Sequence, residues 1–151
     1  MSFISKTIRV EQVGDHLWKL LAPVVYLGRF GTYVVPVDYR TDFASVPRLL
    51  WWFTPRSGRW NAAAVIHDWL ITDLLKQGRI TSPHVDAEFR VALRELGVGF
   101  IRRWLMWAGV RWAAVTSRPR RPGWLRTLPQ LLAVSAVALA PIVAPLVFIL
   151  R

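Results

Sequence analysis

The C-terminal end constrains the fold most, because residues 128–150 (LPQLLAVSAVALAPIVAPLVFIL) carry no charge. As a helix this segment is about 35 Å long, at roughly 1.5 Å per residue, and the hydrocarbon core of a bilayer is about 30 Å thick. Pro129 suits a first helical turn, and membrane helices tolerate prolines such as Pro141. We therefore predict a transmembrane helix over 127–151. The alternative is a helix buried in a larger assembly or inside a particle.

The charges beside this segment predict its orientation. Four arginines precede it and only Arg151 follows it. The positive-inside rule then places the N-terminal domain in the cytoplasm and the C-terminus outward. The first 12 residues contain no long apolar run, so they do not form a secretory signal.

A formal net charge of +11 predicts an anionic partner, either lipid, wall polymer or nucleic acid. The nine tryptophans fit a bilayer interface, where tryptophan is frequent. With a predicted transmembrane helix nearby, lipid ranks above nucleic acid. The absence of cysteine excludes disulfides and thiolate metal sites. The candidate residues for anionic surface binding are Arg102, Arg103, Arg111, Arg118, Arg120, Arg121 and Arg126.

The rest of the chain predicts an α+β domain over 1–115, in which a small N-terminal antiparallel sheet is packed by about three helices. Segments rich in β-branched and aromatic residues predict strands at 7–10, 18–21, 24–27 and 32–37. Helical patterns cover 59–76, 82–96 and 100–115, with Pro83 in a first turn and Gly97 as a stop. A Pro/Arg-rich linker, predicted to be extended, occupies 116–126.

Two polar residues interrupt an apolar helical run at 62–71, namely His67 and Asp68. A helix that is apolar on every face is usually buried, so both side chains need partners in the interior. Asp86 falls on the apolar side of the next helix, whereas Glu88 and Glu95 are predicted to face solvent. Asp42 and Ser45 lie three residues apart in the loop at 39–47.

The functional interpretation is one candidate catalytic cluster, and its members are Asp42, Ser45, His67, Asp68 and Asp86. His67 would act as a base towards water or Ser45. The sequence assigns no definite cofactor, and Asp42, His67, Asp68 and Asp86 are candidate ligands of a divalent metal. In the structural interpretation, the aspartates cap a turn and a helix, and His67 is a satisfied core residue.

The motifs YRTDFASVP at 39–47, AAVIHD at 63–68 and DAEF at 86–89 resemble a family of small bacteriophage and prophage proteins described only as a domain of unknown function. The similarity spans about residues 8–114. It implies a phage gene product, often encoded near tail or lysis functions, without a settled activity. The His-Asp pair in a helix is also similar to secreted phospholipase A2, but the cysteines and glycine-rich calcium loop of those enzymes are missing here.

These observations lead to three functional hypotheses. The first is a bacteriophage-encoded, membrane-associated accessory or virion protein, related to the tail and acting at the host cell envelope. The second is a membrane-tethered hydrolase of envelope material, and the third is a lysis accessory protein. The expected partners are the membrane, anionic lipid or wall polymer and other virion or lysis proteins. The expected location is the inner membrane of the host bacterium or the virion.

Overall fold

The computed structural model describes residues 2–43 and 58–149, which form two small antiparallel sheets and four α-helices. The strands are β1 (Ser2–Phe3), β2 (Val10–Gly14), β3 (Leu17–Leu20), β4 (Val24–Leu27), β5 (Thr32–Val35) and β6 (Arg40–Thr41). The helices are α1 (Asn61–Trp69), α2 (Ser82–Glu95), α3 (Phe100–Ala113) and α4 (Leu128–Ile149). The predicted α+β class is therefore confirmed.

The strands form two sheets, so the prediction of a single sheet is wrong for the described residues. One sheet has the order β1-β4-β5 and the other β2-β3-β6. Pro23 lies between β3 and β4, and a residue without a backbone N–H interrupts a hydrogen-bonded ladder. The strands predicted at 18–21, 24–27 and 32–37 correspond to β3, β4 and β5, whereas the segment 7–10 precedes most of β2.

The β4–β5 hairpin presents one face to the helices. Tyr26 pairs with Tyr33 and Val24 pairs with Val35, and all four side chains are buried. Val34, on the opposite face, is exposed. This alternation is the pattern of a half-buried sheet, and α1 packs against both strands.

Three helices complete the core and agree with the sequence pattern. The helix predicted over 59–76 is α1, which continues as a π-helix, Leu70–Leu75. In α2, Pro83 occupies the first turn, but Thr81 rather than Ser82 is the N-cap. Gly97, with φ +72°, follows the end of α2 in the left-handed conformation that favours glycine. Ser45 and the apolar stretch 49–53 lie outside the described residues.

The predicted transmembrane helix is wrong, because no helix in the described ranges 2–43 and 58–149 is long and apolar enough to cross a membrane. The inner-membrane location that depended on this span is corrected with it. The first turns of α4 pack against α3 instead: Leu131 is fully buried beside Trp107, and the Trp112 indole N–H donates to Ser135 Oγ at 3.1 Å. A charge-free run predicts an apolar environment but does not distinguish lipid from protein.

The segment 116–126 is not an extended linker. It contains a 3₁₀ turn, Arg118–Arg120, and is followed by a second one, Leu125–Thr127. Trp124 donates its indole N–H to the carbonyl oxygen of Arg111 in α3 at 2.9 Å. The segment therefore folds back on the domain.

Glu88 is only 1 % exposed, so the prediction that it faces solvent is wrong. Its Oε1 accepts the backbone N–H groups of Arg29 (2.6 Å) and Phe30 (3.0 Å) in the β4–β5 turn. Gly28, next to Arg29, leaves room for this carboxylate because it has no side chain. A Cβ at position 28 would lie 3.0 Å from both carboxylate oxygens of Glu88 and 2.5 Å from the Tyr33 ring. The carboxylate therefore fixes this turn from the side of α2.

We expect Gly28→Ala to lower the free energy of unfolding by about 1–3 kcal/mol, because the added methyl group overpacks this site. The matched control is Gly109→Ala in α3, where a Cβ meets no atom within 4 Å. The same substitution should there raise stability by about 0.5–1 kcal/mol through helix propensity. Urea denaturation measures both, and equal effects of the two variants would contradict the close approach at Gly28.

Candidate functional site

The carboxylate of Asp86, in α2, is fully buried and binds three cationic or polar side chains. Its Oδ1 accepts hydrogen bonds from His67 Nε2 at 2.7 Å and Arg120 Nη2 at 2.8 Å. Its Oδ2 accepts a hydrogen bond from Arg111 Nη1 at 2.8 Å. His67 comes from α1, Arg111 from α3 and Arg120 from the following 3₁₀ turn, so one carboxylate joins four segments of the chain.

These partners determine the charge state of Asp86. Burial alone raises the pKa of a carboxyl group, because it disfavours the charged form. Here the hydrogen bond and charge of His67, together with Arg120 and Arg111, outweigh burial and lower the pKa of Asp86 below its usual value of 3.8. Asp86 is therefore an ionised carboxylate at neutral pH.

The two arginines are themselves held by neutral groups. Arg111 donates from Nη1 to Ser82 Oγ and from Nε to Thr127 Oγ1, both at 3.0 Å. Arg120 donates from Nη2 to the carbonyl oxygen of Val110 at 2.8 Å. These bonds tie the end of the 116–127 segment to α2 and α3. Arg111 and Arg120, predicted as surface residues for anion binding, are instead interior partners of Asp86.

The remaining candidates for anion binding differ in exposure. Arg103 is half-buried, with its guanidinium 5.4 Å from the centre of the Phe100 ring. The exposed members, which keep the predicted surface position, are Arg102, Arg118, Arg121 and Arg126.

His67 is held in one orientation by these contacts. Because Asp86 is ionised and only accepts hydrogen bonds, Nε2 of His67 carries the proton in this bond. In the neutral ring, Nδ1 is then the hydrogen-bond acceptor. The ring also packs against Phe89, with 4.7 Å between ring centroids. The site therefore holds the imidazole ring in a fixed orientation, with Nε2 bound to Asp86.

Asp68 follows His67 in sequence but has a different environment. Its Oδ2 accepts the hydroxyl proton of Thr41 at 3.1 Å, and the same hydroxyl oxygen accepts the backbone N–H of Phe43 at 3.0 Å. Burial raises the pKa of Asp68 and the charge of Asp42 adds to this effect, while His67, Thr41 and Arg120 oppose it. The net result is a pKa above the usual 3.8.

The structure thus brings together most of the predicted cluster. His67 and Asp86 are in direct contact, and Asp68 lies close enough to both His67 and Asp42 for their charges to act on it. Phe43, next to Asp42, has a φ of +64°, which is a strained conformation for a bulky residue. Strain of this kind is common where a loop is held for a function. Ser45 lies outside the described residues.

The described residues do not provide a set of ligands for the predicted divalent metal. Within residues 2–43 and 58–149, no group of three or more His, Asp or Glu side chains is arranged to hold a metal ion. Asp86, one of the proposed ligands, already uses both oxygens for His67, Arg111 and Arg120.

Three residues of the site were missed or misplaced by sequence reasoning, namely Thr41, Arg111 and Arg120. Arg111 had a usable signal, because it follows Trp104 by seven and Trp107 by four residues and so lies on the inner face of α3. Thr41 had a weaker signal in its position next to Asp42. Arg120 had none, since a Pro/Arg-rich segment has no periodicity.

The comparison with known proteins identifies a family. Residues 18–110 match the family described as protein of unknown function (DUF1353), and the chain belongs to that family. The match includes Asp42, Ser45, His67, Asp68 and Asp86. No curated protein and no solved structure matches the chain. The resemblance to a family of unknown function is therefore confirmed, while the phage origin stays a prediction.

We expect Asp86→Asn to destabilise the fold by about 3–5 kcal/mol at neutral pH, because two buried guanidinium groups lose their counter-charge. A lowered folded-state pKa contributes stability that is present above the unfolded pKa and is lost as the pH falls through the folded value. The deficit of the variant should therefore shrink as the pH is lowered below about 4. Thermal unfolding at several pH values measures this, and a deficit that is independent of pH would contradict the ionised state.

Asp68→Asn should show the opposite sign. A raised folded-state pKa favours the folded state below the unfolded pKa, and this advantage is lost as the pH rises through the folded value. Removing the charge should therefore raise the melting temperature of the variant relative to wild type between about pH 4 and pH 7. A relative melting temperature that falls over the same range would show that Asp68 is stabilised as a carboxylate.

Proposed function

We propose that this member of the DUF1353 family is a hydrolase in which His67 activates water. The observation that carries the proposal is the 2.7 Å hydrogen bond between His67 Nε2 and Asp86 Oδ1. A general base needs a fixed position and a basic atom free to take a proton. Asp86 supplies the first condition, because it orients the ring through Nε2. The proposal assigns the second, the uptake of the proton, to Nδ1.

The proposed step is general-base catalysis on water. Nδ1 of His67 takes one proton while the water oxygen attacks an electrophilic carbonyl or phosphoryl centre of the substrate. Asp86 stabilises the imidazolium that forms, and Arg111 and Arg120 hold Asp86 in place. Both arginines act through Asp86, so they are positioning residues in this scheme.

Asp68 is the proposed general acid. Its raised pKa favours the protonated carboxyl, which is the form that can give a proton to a leaving group. Thr41 orients this carboxyl through its hydroxyl. After the bond to the leaving group breaks, His67 gives its proton to solvent and Asp68 takes one up from solvent, which restores both groups. Asp86 and Asp68 both interact with His67, and their pKa values are shifted in opposite directions. Such a difference is typical of acid–base sites.

The proposed substrate is anionic material of a bacterial envelope, and the proposed source of the protein is a bacteriophage. The net charge of +11 supports an anionic substrate. Arg102, Arg118, Arg121 and Arg126 are exposed residues, and the proposal assigns the recognition of the anionic substrate to them.

The test of the hydrolase is the release of products from isolated bacterial envelopes, with phospholipid and cell-wall fractions assayed separately. We expect His67→Asn to lower the rate by about 100- to 10,000-fold, the usual contribution of a general base. His84→Asn is the matched control, because His84 is exposed and its ring contacts Thr81 and Phe30 rather than Asp86. Wild-type protein that releases nothing, or a His67→Asn variant with full activity, would overturn the proposal.

The second candidate is a non-catalytic accessory or virion protein that binds the host envelope, also during lysis or beside other phage proteins. The same four exposed arginines favour it. Replacing all four by glutamine should then abolish co-sedimentation with envelopes, and added salt should weaken the wild-type association, because exposed charges are screened. Binding that survives the four substitutions would contradict this candidate.

A further inference from the structure

An apolar groove runs between α3 and α4, away from Asp86. Its cavity volume is about 610 Å³, and its described lining includes Phe100, Ile101 and Trp104 from α3 and Val134, Val137 and Pro141 from α4. Phe100 is 67 % exposed, Ile101 71 % and Val137 76 %. Soluble domains rarely leave large apolar side chains clustered in this way without a ligand or partner.

Two arginines contact the aromatic side chains at one end of this groove. The guanidinium of Arg90 lies 4.2 Å from the centre of the Trp104 ring, and that of Arg103 lies 5.4 Å from the Phe100 ring. Burial lowers the pKa of Arg90, and the charges of Arg103 and Arg94 lower it further. This mutual repulsion is an unfavourable arrangement of the protein alone, and a bound anion relieves it.

Two buried donors at the same end also lack partners. Arg103 Nε and Trp104 Nε1 are buried and make no hydrogen bond in the described part of the chain. A buried donor without an acceptor costs about 1–3 kcal/mol. Glu95 is the acid nearest in sequence, and it binds the exposed Arg94 at 3.5 Å. No acidic side chain is among the described residues that line the groove.

We propose that this groove binds one fatty-acid molecule, with its acyl chain along α3 and α4 and its carboxylate at Arg90 and Arg103. The volume lies within the range of small-molecule sites, about 300–1,000 Å³. The guanidinium fork matches a carboxylate in a bidentate geometry. Trp104 is seven residues from Arg111, about 10 Å along α3, so this site is separate from His67 and does not depend on its function.

The test is a calorimetric titration of the full chain with oleate below its micellar concentration, and with oleyl alcohol as the uncharged ligand of equal chain length. We expect saturable binding of one oleate per chain. Oleyl alcohol should bind at least about tenfold more weakly, since it lacks the charge-assisted bonds. Because this comparison uses the wild-type protein, it does not depend on the folding of any variant.

Two variants locate the ligand. Arg90→Gln should weaken oleate binding by about tenfold and leave oleyl alcohol unchanged, while Ala133→Trp should block both by filling the groove. Arg9→Gln, an exposed arginine on the sheet side, is the control with the same loss of charge.

Four outcomes would overturn the proposal. They are no binding of oleate, equal binding of oleate and oleyl alcohol, binding to anionic vesicles only, and self-association that Ala133→Trp abolishes. The third result would assign the groove to a bilayer surface, and the fourth to a second copy of the chain.

Discussion

The buried carboxylate of Asp86 is the interaction on which most of this structure depends. It accepts hydrogen bonds from side chains of α1, α3 and the 3₁₀ turn Arg118–Arg120, at 2.7–2.8 Å. A buried charge is tolerated only when it is paired and hydrogen-bonded, and here both oxygens are satisfied. Arg111 extends the network to Thr127, the residue directly before α4. The same carboxylate therefore fixes the orientation of His67 and the path of the chain into the C-terminal helix.

The environments of Asp86 and Asp68 explain why neighbouring carboxyl groups differ in charge state. Asp86 has two arginines and a histidine within hydrogen-bonding distance, and these outweigh its burial. Asp68 has one hydroxyl donor and the adverse charge of Asp42, and burial prevails. Burying either carboxylate costs free energy. Only for Asp86 do the hydrogen-bonding partners fully offset this cost. Asp68 therefore retains an unfavourable environment, which is typical of a group held for chemistry rather than for stability.

Local patterns predicted the parts of the fold that depend on local physics. The alternation in β4 and β5, the proline in the first turn of α2 and Gly97 at its end were all readable. The inward direction of Asp86 followed from its spacing to Leu93. The pairing of strands into two sheets was not readable, because it depends on contacts between distant segments. Glu88 was misplaced since its partners are backbone N–H groups of a turn 58 and 59 residues away.

The C-terminal helix shows a further limit of sequence reasoning. Its lack of charge predicted an apolar environment, but Trp107, Trp112 and Trp124 are the neighbours of its first turns rather than lipid. The tryptophans of α3 supported a lipid partner, and its arginines were candidates for anionic surface binding. In the structure these side chains contribute to the packing against α4, to the Asp86 network and to the groove. Residue type alone did not separate these environments.

The tautomer of His67 tests the central claim most directly. Nitrogen-15 chemical shifts of the histidine rings, recorded on the full chain at neutral pH and assigned with His67→Asn, distinguish the two forms. The account predicts that Nε2 of His67 carries a proton, with its resonance shifted by the hydrogen bond to Asp86. A ring protonated on Nδ1 alone would show that Asp86 does not bind and orient His67, and would contradict both the described network and the proposed base.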